Sequence, residues 1–388
     1  MNPGRKSALL AAIGLAFAAA VALGVARFAY ALLLPPMRAE LGWSYVTAGA
    51  MNTVNAAGYL LGALVMPALL RRFDARALML VGGLAAALLL AAHGLVRSDA
   101  ALYVLRAGSG VASAAIFVGG GLLAARLASS AAAASGLAPG LILGLYYGGT
   151  GLGIVASSLV VPPLHWSGAW LALGALSAVA VAITGATTRS LHAPPAPGAA
   201  REAVPWRRLG WGLAGYLCFG LGYIGYMTFV ITLLREQGLP GPTITAFYVL
   251  LGLGVMASSW LWAGLLQRWR DGRTLALLNA LVALATLLPV LSSHTAVVFA
   301  SGALFGAVFL SVVASTTALV RHNLPVAAWP AGIALFTIVF AAGQIVGPAL
   351  VGWVADGAGG LQRGFALSAA LLALGAVVAL RQRASPPG

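Results

Sequence analysis

The sequence predicts an all-α membrane protein of twelve transmembrane helices, arranged as two pseudo-symmetric six-helix bundles. Three observations predict it. Of 388 residues, 61% are hydrophobic and 7% charged, where an ordinary soluble chain carries roughly 25% charge. The apolar residues come in runs of about 20, the length at which a helix crosses a bilayer. Finally, the second half of the chain repeats polar landmarks of the first at a constant offset. The 50 glycines fit the same class, since glycine is more frequent in membrane helices than in soluble ones.

Taken in order, each run is bounded by charge, proline or a short polar turn. The first, 8–34, follows Arg5 and Lys6 and meets Pro35 and Pro36. The second, 44–70, ends at RRFDAR, and the third, 77–95, stops before Arg97. The fourth, 100–125, reaches Arg126; the fifth, 137–161, meets Pro162; the sixth, 166–188, ends at Arg189. In the second half, 209–234 lies between Arg208 and Arg235, and 243–266 runs from Pro242 to QRWRDGR. The ninth, 274–292, and tenth, 296–320, flank a Ser-Ser-His turn. The last two, 329–354 and 364–380, lie either side of Asp356 and Arg363. Strands are not expected, because the runs do not alternate and are too long for barrel strands. Arg5 and Lys6 before an Ala/Leu run resemble a secretory signal, but the run continues beyond Ala26 and is read as a first span.

Between the sixth and seventh runs lies RSLHAPPAPGAAREAVPWRR, residues 189–208. Its proline, alanine and charge read as a flexible linker. The expected domains are therefore 1–188 and 209–388, six spans each. A shift of 196 residues lays Gly24 on Gly220, Tyr30 on Tyr226, Glu40 on Glu236, Gly42 on Gly238 and Thr47 on Thr243. Polar landmarks at one offset point to a duplication. Sidedness follows from the basic residues. Of 22 Lys and Arg, Arg27 and Arg106 fall inside runs, four (Arg38, Arg97, Arg235 and Arg363) fall on one side, and the remaining sixteen fall on the side of the N-terminus. Both termini are expected to be cytoplasmic, in a bacterial inner membrane.

Some functions are excluded at this level. The net charge of +15 is scattered in short clusters between apolar runs, so no nucleic acid is expected. Cys218 is the single cysteine, and forms neither an internal disulfide nor a cysteine metal site. His93, His165, His192, His294 and His322 show no metal-ligand spacing, and no nucleophile–base set or ATP-binding loop is visible. No catalytic residue, cofactor or metal is expected. GLGIVASS (151–158) and GLGVMASS (252–259) fit a dinucleotide fingerprint in form only, because that motif needs a preceding strand and a soluble pocket. Inside a membrane span such small residues let helices approach closely.

Two six-span units, a central loop and basic loops after spans two and eight resemble the major facilitator superfamily of secondary transporters. GVARFAYALLLPPMRAELGWS followed by NTVNAAGYLLGAL resembles its bacterial YbfB/YjiJ-like subfamily, and the likeness covers essentially the whole chain. LYVLRAGSGVASA resembles the superfamily's fourth-helix motif, matched by Arg106 and Gly110. The loop motif departs: Arg71 stands where an acid is usual, Asp74 where a glycine is usual, and Gln267 takes the acidic place in the second copy. The resemblance implies the major facilitator fold, alternating access, and a central cavity lined by spans one, four, seven and ten.

Arg27 lies about 8 residues inside its span and Arg106 about 6 inside the antiparallel fourth span, so they lie at similar depths of ~12 Å and ~9 Å at about 1.5 Å per residue. An arginine this deep costs about 2.5–3.5 kcal/mol on insertion scales, relieved by water, an acid or a bound anion. All seven Asp and Glu fall in loops or at span ends. A guanidinium fork suits a carboxylate, so the two arginines are read as an anion clamp; the alternative reading is that they snorkel outward or stitch helices together through backbone carbonyls. The same layer holds Tyr30, Asn52, Asn55, Tyr146, Tyr147, Tyr223, Tyr226 and Gln344 as candidate substrate contacts. For each of these, helix–helix hydrogen bonding is at least as good a reading as substrate contact.

The expected function is secondary transport of a small organic anion by a monomer in contact with membrane lipid. A second reading is a proton-coupled exporter of drugs or amphiphiles. A third, from another class, is a membrane sensor or assembly factor that moves nothing.

Overall fold

The computed structural model describes residues 3–135, 137–192, 206–325 and 328–384; most of the expected linker, 193–205, lies outside them. Among the described residues there are helices and no strand. The first span is α1 (Pro3–Ala19), a π-helical stretch (Ala20–Phe28) and α2 (Tyr30–Leu41). Then come α3 (Tyr45–Leu69), α4 (Ala75–His93), α5 (Asp99–Ser135), α6 (Pro139–Val160) and α7 (Trp166–Thr187). After a 3-10 turn (Trp206–Leu209) follow α8 (Gly210–Glu236), α9 (Gly241–Leu261), the short α10 (Ala263–Arg268), α11 (Arg273–Leu291), α12 (Thr295–Asn323), α13 (Trp329–Ala355) and α14 (Gly360–Ala379). Eleven stretches among the described residues are long and apolar enough to cross a bilayer. The remaining long helix, α3, carries Asn52 and Asn55 among its apolar residues and completes the twelve expected spans.

Two boundaries differ from expectation. α5 continues past Arg126 to Ser135, because an arginine marks the end of an apolar run, not of a helix, and LASSAAAAS favours helix throughout. α2 runs through Pro35 and Pro36. These lack the N–H groups that would bond one turn back, but the burial of Tyr30–Leu34 and Met37 holds the segment in place.

The chain forms two compact units, one of Met1–Gly42 with Val54–Gly198 and the other of Trp43–Thr53 with Ala199–Gly388. In the first, α4 packs on α5 and α7, while α6 packs on α1 and the π-helical stretch. Close approach depends on glycine. A Cβ on Gly58 would lie 2.1 Å from Ala107 O, and one on Gly110 2.1 Å from Asn55 O, so α3 and α5 touch backbone to backbone. Asp74 caps α4 by accepting from Arg76 N (2.8 Å) and Ala77 N (3.4 Å), as acidic N-caps do. Arg76 reaches Gly185 O at 2.8 Å and ties the start of α4 to the end of α7. Glu40 gathers Arg97 (3.4 Å), His165 (2.8 Å) and Trp166 (2.6 Å) at the other end of the unit.

In the second unit α9 packs on α12, and α8 on α14 and α13. The glycine contacts of the first unit recur 196 residues on. A Cβ on Gly306 would lie 2.2 Å from Leu251 O, and one on Gly254 2.9 Å from Ala307 N. These positions are the counterparts of Gly110 and Gly58. Gly42 and Gly238 share positive φ, 68° and 79°, just past the ends of α2 and α8, a turn that glycine makes without strain. Asp356 accepts from Tyr45 N (2.7 Å) and Val46 N (2.9 Å), and Tyr45 Oη donates to Glu236. The spacing of QRWRDGR is settled locally, with Asp271 paired to Arg273 at 3.0 Å. GLGIVASS lies within α6 and GLGVMASS within α9, so neither is a strand-to-helix phosphate loop.

Candidate functional site

The first unit's polar centre forms where the first span leaves regular α-helical bonding. Gly24 sits against Gly153 of α6, close enough that a Cβ would come within 2.5 Å of its Cα. There the backbone widens to i→i+5 bonding: Ala29 N donates to Gly24 O at 3.0 Å. Leu32 N then bonds Ala29 O at 3.0 Å, a tightened turn. Such π-helical stretches leave the regular ladder irregular at their ends, and they concentrate at functional sites. The carbonyl of Ala26 is taken up by Arg106, whose Nη1 donates to it at 3.2 Å.

Arg27 and Arg106 are both buried, 4% and 1% exposed, and are close enough to interact as like charges. Aromatic faces surround them. The Arg106 guanidinium lies 4.6 Å from the Tyr30 ring centroid, and that of Arg27 lies 5.9 Å from Tyr59 and 6.0 Å from Phe28. At such distances ring quadrupoles attract a cation. Asn55 Nδ2 donates to Arg106 O at 3.0 Å, so α3 holds the helix that carries the arginine. Thus the structure brings Arg27, Arg106, Tyr30 and Asn55 together. Glu40 and Asp271 form ion pairs at span ends.

The other expected contacts lie elsewhere. Tyr146 is buried and donates to Phe117 O at 2.6 Å, whereas Tyr147 is 43% exposed. Asn52 groups with the second unit, where its amide donates to Thr228 Oγ1 at 2.7 Å. Tyr226 shares a hydrogen bond of 2.7 Å with Ser301 Oγ and stacks on Phe305 at 4.0 Å. Tyr223 belongs to a row of near-parallel rings, 4.7 Å from Phe219 and 5.5 Å from Phe340. Gln344 is buried on α13. The repeat therefore preserves the ring at Tyr30 and Tyr226, but replaces Arg27 by Tyr223 and Arg106 by Gly302. Phe247 packs where a side chain on Gly302 would go.

Reading the sequence missed two members of the first centre. Tyr59 was legible, because it follows Asn52 and Asn55 at helical spacing on one face. His93 was set aside among scattered histidines. It is fully buried, stacks on Trp170 at 4.5 Å and donates from Nδ1 to Leu89 O at 2.7 Å. Its Nε2 has no hydrogen-bond partner, and it lies within electrostatic reach of Arg106. No local pattern distinguishes it, since its neighbours come from other helices.

Comparison with known proteins fits this architecture. The chain matches the family described as "Uncharacterised MFS-type transporter YbfB" over residues 19–380. Among solved structures it is similar to a mutant of the nucleoside transporter NupG, with TM-score 0.79 and 15% identity over 97% of this chain and 99% of that one. It is also similar to a bacterial homolog of the human lysosomal transporter Spinster, with TM-score 0.70 and 15% identity over 100% of both chains. At such identity these neighbours establish the fold alone. No curated protein sequence matches significantly. With a family match spanning nearly all twelve helices, the chain belongs to the YbfB-type family of the major facilitator superfamily: an integral membrane transporter of a small molecule, not an enzyme.

Proposed function

We propose that this transporter moves a small organic anion by alternating access, with Arg27 and Arg106 gripping its carboxylate. One observation carries the reading: two like charges are buried in one unit, on adjoining helices, close enough to repel. A bound anion relieves that repulsion and supplies the lone pairs two guanidinium forks are shaped to receive. Tyr30 and Asn55 position the pair. Tyr146 and Tyr147 are the remaining candidate contacts of the same unit. The protein works as a monomer in a bacterial inner membrane, both termini cytoplasmic, with 189–208 linking bundles 1–188 and 209–388.

The aromatic row of the second unit favours a second reading, a planar uncharged or lipophilic solute; the similar NupG is a nucleoside transporter. A thermal-stability screen of the purified protein separates them. At a concentration about 100 times Kd, a ligand adds about 2.7 kcal/mol to stability, so the right class raises the melting temperature clearly. Mono- and dicarboxylates are expected to do this, and uridine and lipophilic cations are not. The reverse pattern would replace the anion with a ring-bearing neutral or cationic solute.

A further inference from the structure

We propose that the second unit holds one acidic phospholipid where α8 begins and α14 ends, its headgroup among arginines and one acyl chain in an alanine groove. This inference is independent of the substrate reading and needs only that the protein lies in a membrane.

The headgroup end is a cavity of about 720 Å³ lined by Arg208, Trp211, Arg381, Gln382 and Arg383, with Leu380 at its edge. Leu380 also lines a second, apolar cavity of about 590 Å³, walled by Ala276, Ala280 and Ala283 of α11 and by Ala373 and Ala376 of α14. Leu380 is a wall common to both, so a basic chamber adjoins an apolar channel. That combination matches an amphiphile carrying a phosphate, and a free phosphate would have no use for the channel.

The chamber is built, not incidental. Gln382, 4% exposed, ties three chain segments together. Its Oε1 accepts from Gly212 N at 3.0 Å, its Nε2 donates to Arg208 O and Arg383 O at 2.9 Å, and its own carbonyl accepts from Gly272 N at 2.9 Å. Gly272 is required there, because a Cβ would lie 1.9 Å from Ala379 O. Arg381 lies 5.1 Å from the Trp211 ring, and Trp211 is 47% exposed. Tryptophan with arginine at a helix end is the signature of the membrane–water boundary. Arg273, at the mouth of the channel, is already paired with Asp271 at 3.0 Å. The ion pairs of the described residues do not involve Arg208, Arg381 or Arg383. Basic pockets between helices at this level suit acidic headgroups, and each arginine is worth about a fivefold factor in binding.

The test uses the full-length purified protein with an equimolar mixture of phosphatidylglycerol and phosphatidylcholine, read by native mass spectrometry. Phosphatidylglycerol is expected to be retained at least about fivefold over phosphatidylcholine. Arg208→Gln with Arg381→Gln and Arg383→Gln should bring the two lipids level, and the corresponding lysine variants should keep the preference. Should the triple variant fold poorly, Arg381→Gln alone is expected to reduce the preference severalfold. No preference in the native protein, or an unchanged one in the glutamine variants, would overturn the site. If millimolar inorganic phosphate displaces the lipid, the chamber belongs to a free anion and the lipid assignment fails.

Discussion

Arg27→Gln is expected to weaken carboxylate binding by about 10²–10³-fold, the range for removing one partner of a desolvated charge pair, and to abolish uptake by proteoliposomes. Folding should not suffer. Glutamine keeps a polar donor, and loss of one of two buried like charges relieves repulsion against Arg106. The melting temperature without ligand is therefore expected to stay level or rise. Arg27→Lys retains the charge but not the fork, and should fall between the two. Uptake undiminished in Arg27→Gln would remove the clamp from the mechanism. Parallel loss of uptake and thermal stability would make the arginine a packing residue.

Gly110→Leu is expected to be among the most destabilising single changes in the first unit. Even alanine there would place its Cβ 2.1 Å from Asn55 O and 2.7 Å from Tyr59 N, both backbone atoms that cannot turn aside. Overpacking a tight contact costs about 1–3 kcal/mol for small insertions, partly offset in alanine by up to about 1 kcal/mol of helix propensity. Leucine exceeds that range, because α3 and α5 must separate along their length. The separation also pulls Asn55 away from Arg106 O, so carboxylate binding should fall together with the melting temperature. Gly306→Leu should unfold the second unit comparably, since its Cβ would meet Leu251 O at 2.2 Å. Gly168→Ala, with nothing within 4 Å, is the control and should shift the melting temperature little. A Gly110→Leu protein as stable as this control would mean that the two helices are not in contact.

Much of this was legible in the sequence, for definite reasons. Eleven of the spans follow from apolar length alone, which a bilayer enforces and a soluble fold does not, and α3 joins them despite Asn52 and Asn55. The 196-residue offset carried further than its polar landmarks, since the packing glycines Gly58 and Gly110 reappear as Gly254 and Gly306. Arg27 and Arg106 stood out because a cation is rare inside an apolar run. What was hidden depends on contacts between distant segments. Nothing around residue 20 announces a π-helical stretch, because it arises where Gly24 meets Gly153, well over a hundred residues away. His93 and Gln382 look ordinary until three or more segments converge on each. Asn52 and Asn55, one turn apart, serve different units, and helical periodicity cannot show where a unit's boundary crosses a helix.

The nine-residue wide stretch in the first span has a consequence for handling insertions and deletions. Each residue of an α-helix advances the chain by about 100°, so the broad turns set the rotational phase between Pro3–Ala19 and the arginine-bearing end. Excising Ala22 would let one wide turn rewind to ordinary pitch with the flanking rods still nearly in phase, because a π-turn holds about one residue more than an α-turn. The same excision in the regular helix at Ala18 would instead turn Gly14, where a Cβ would lie 1.9 Å from Thr187 Oγ1, to the wrong face. The stretch is thus a phase adjuster: it absorbs an extra residue without turning the rods on either side of it.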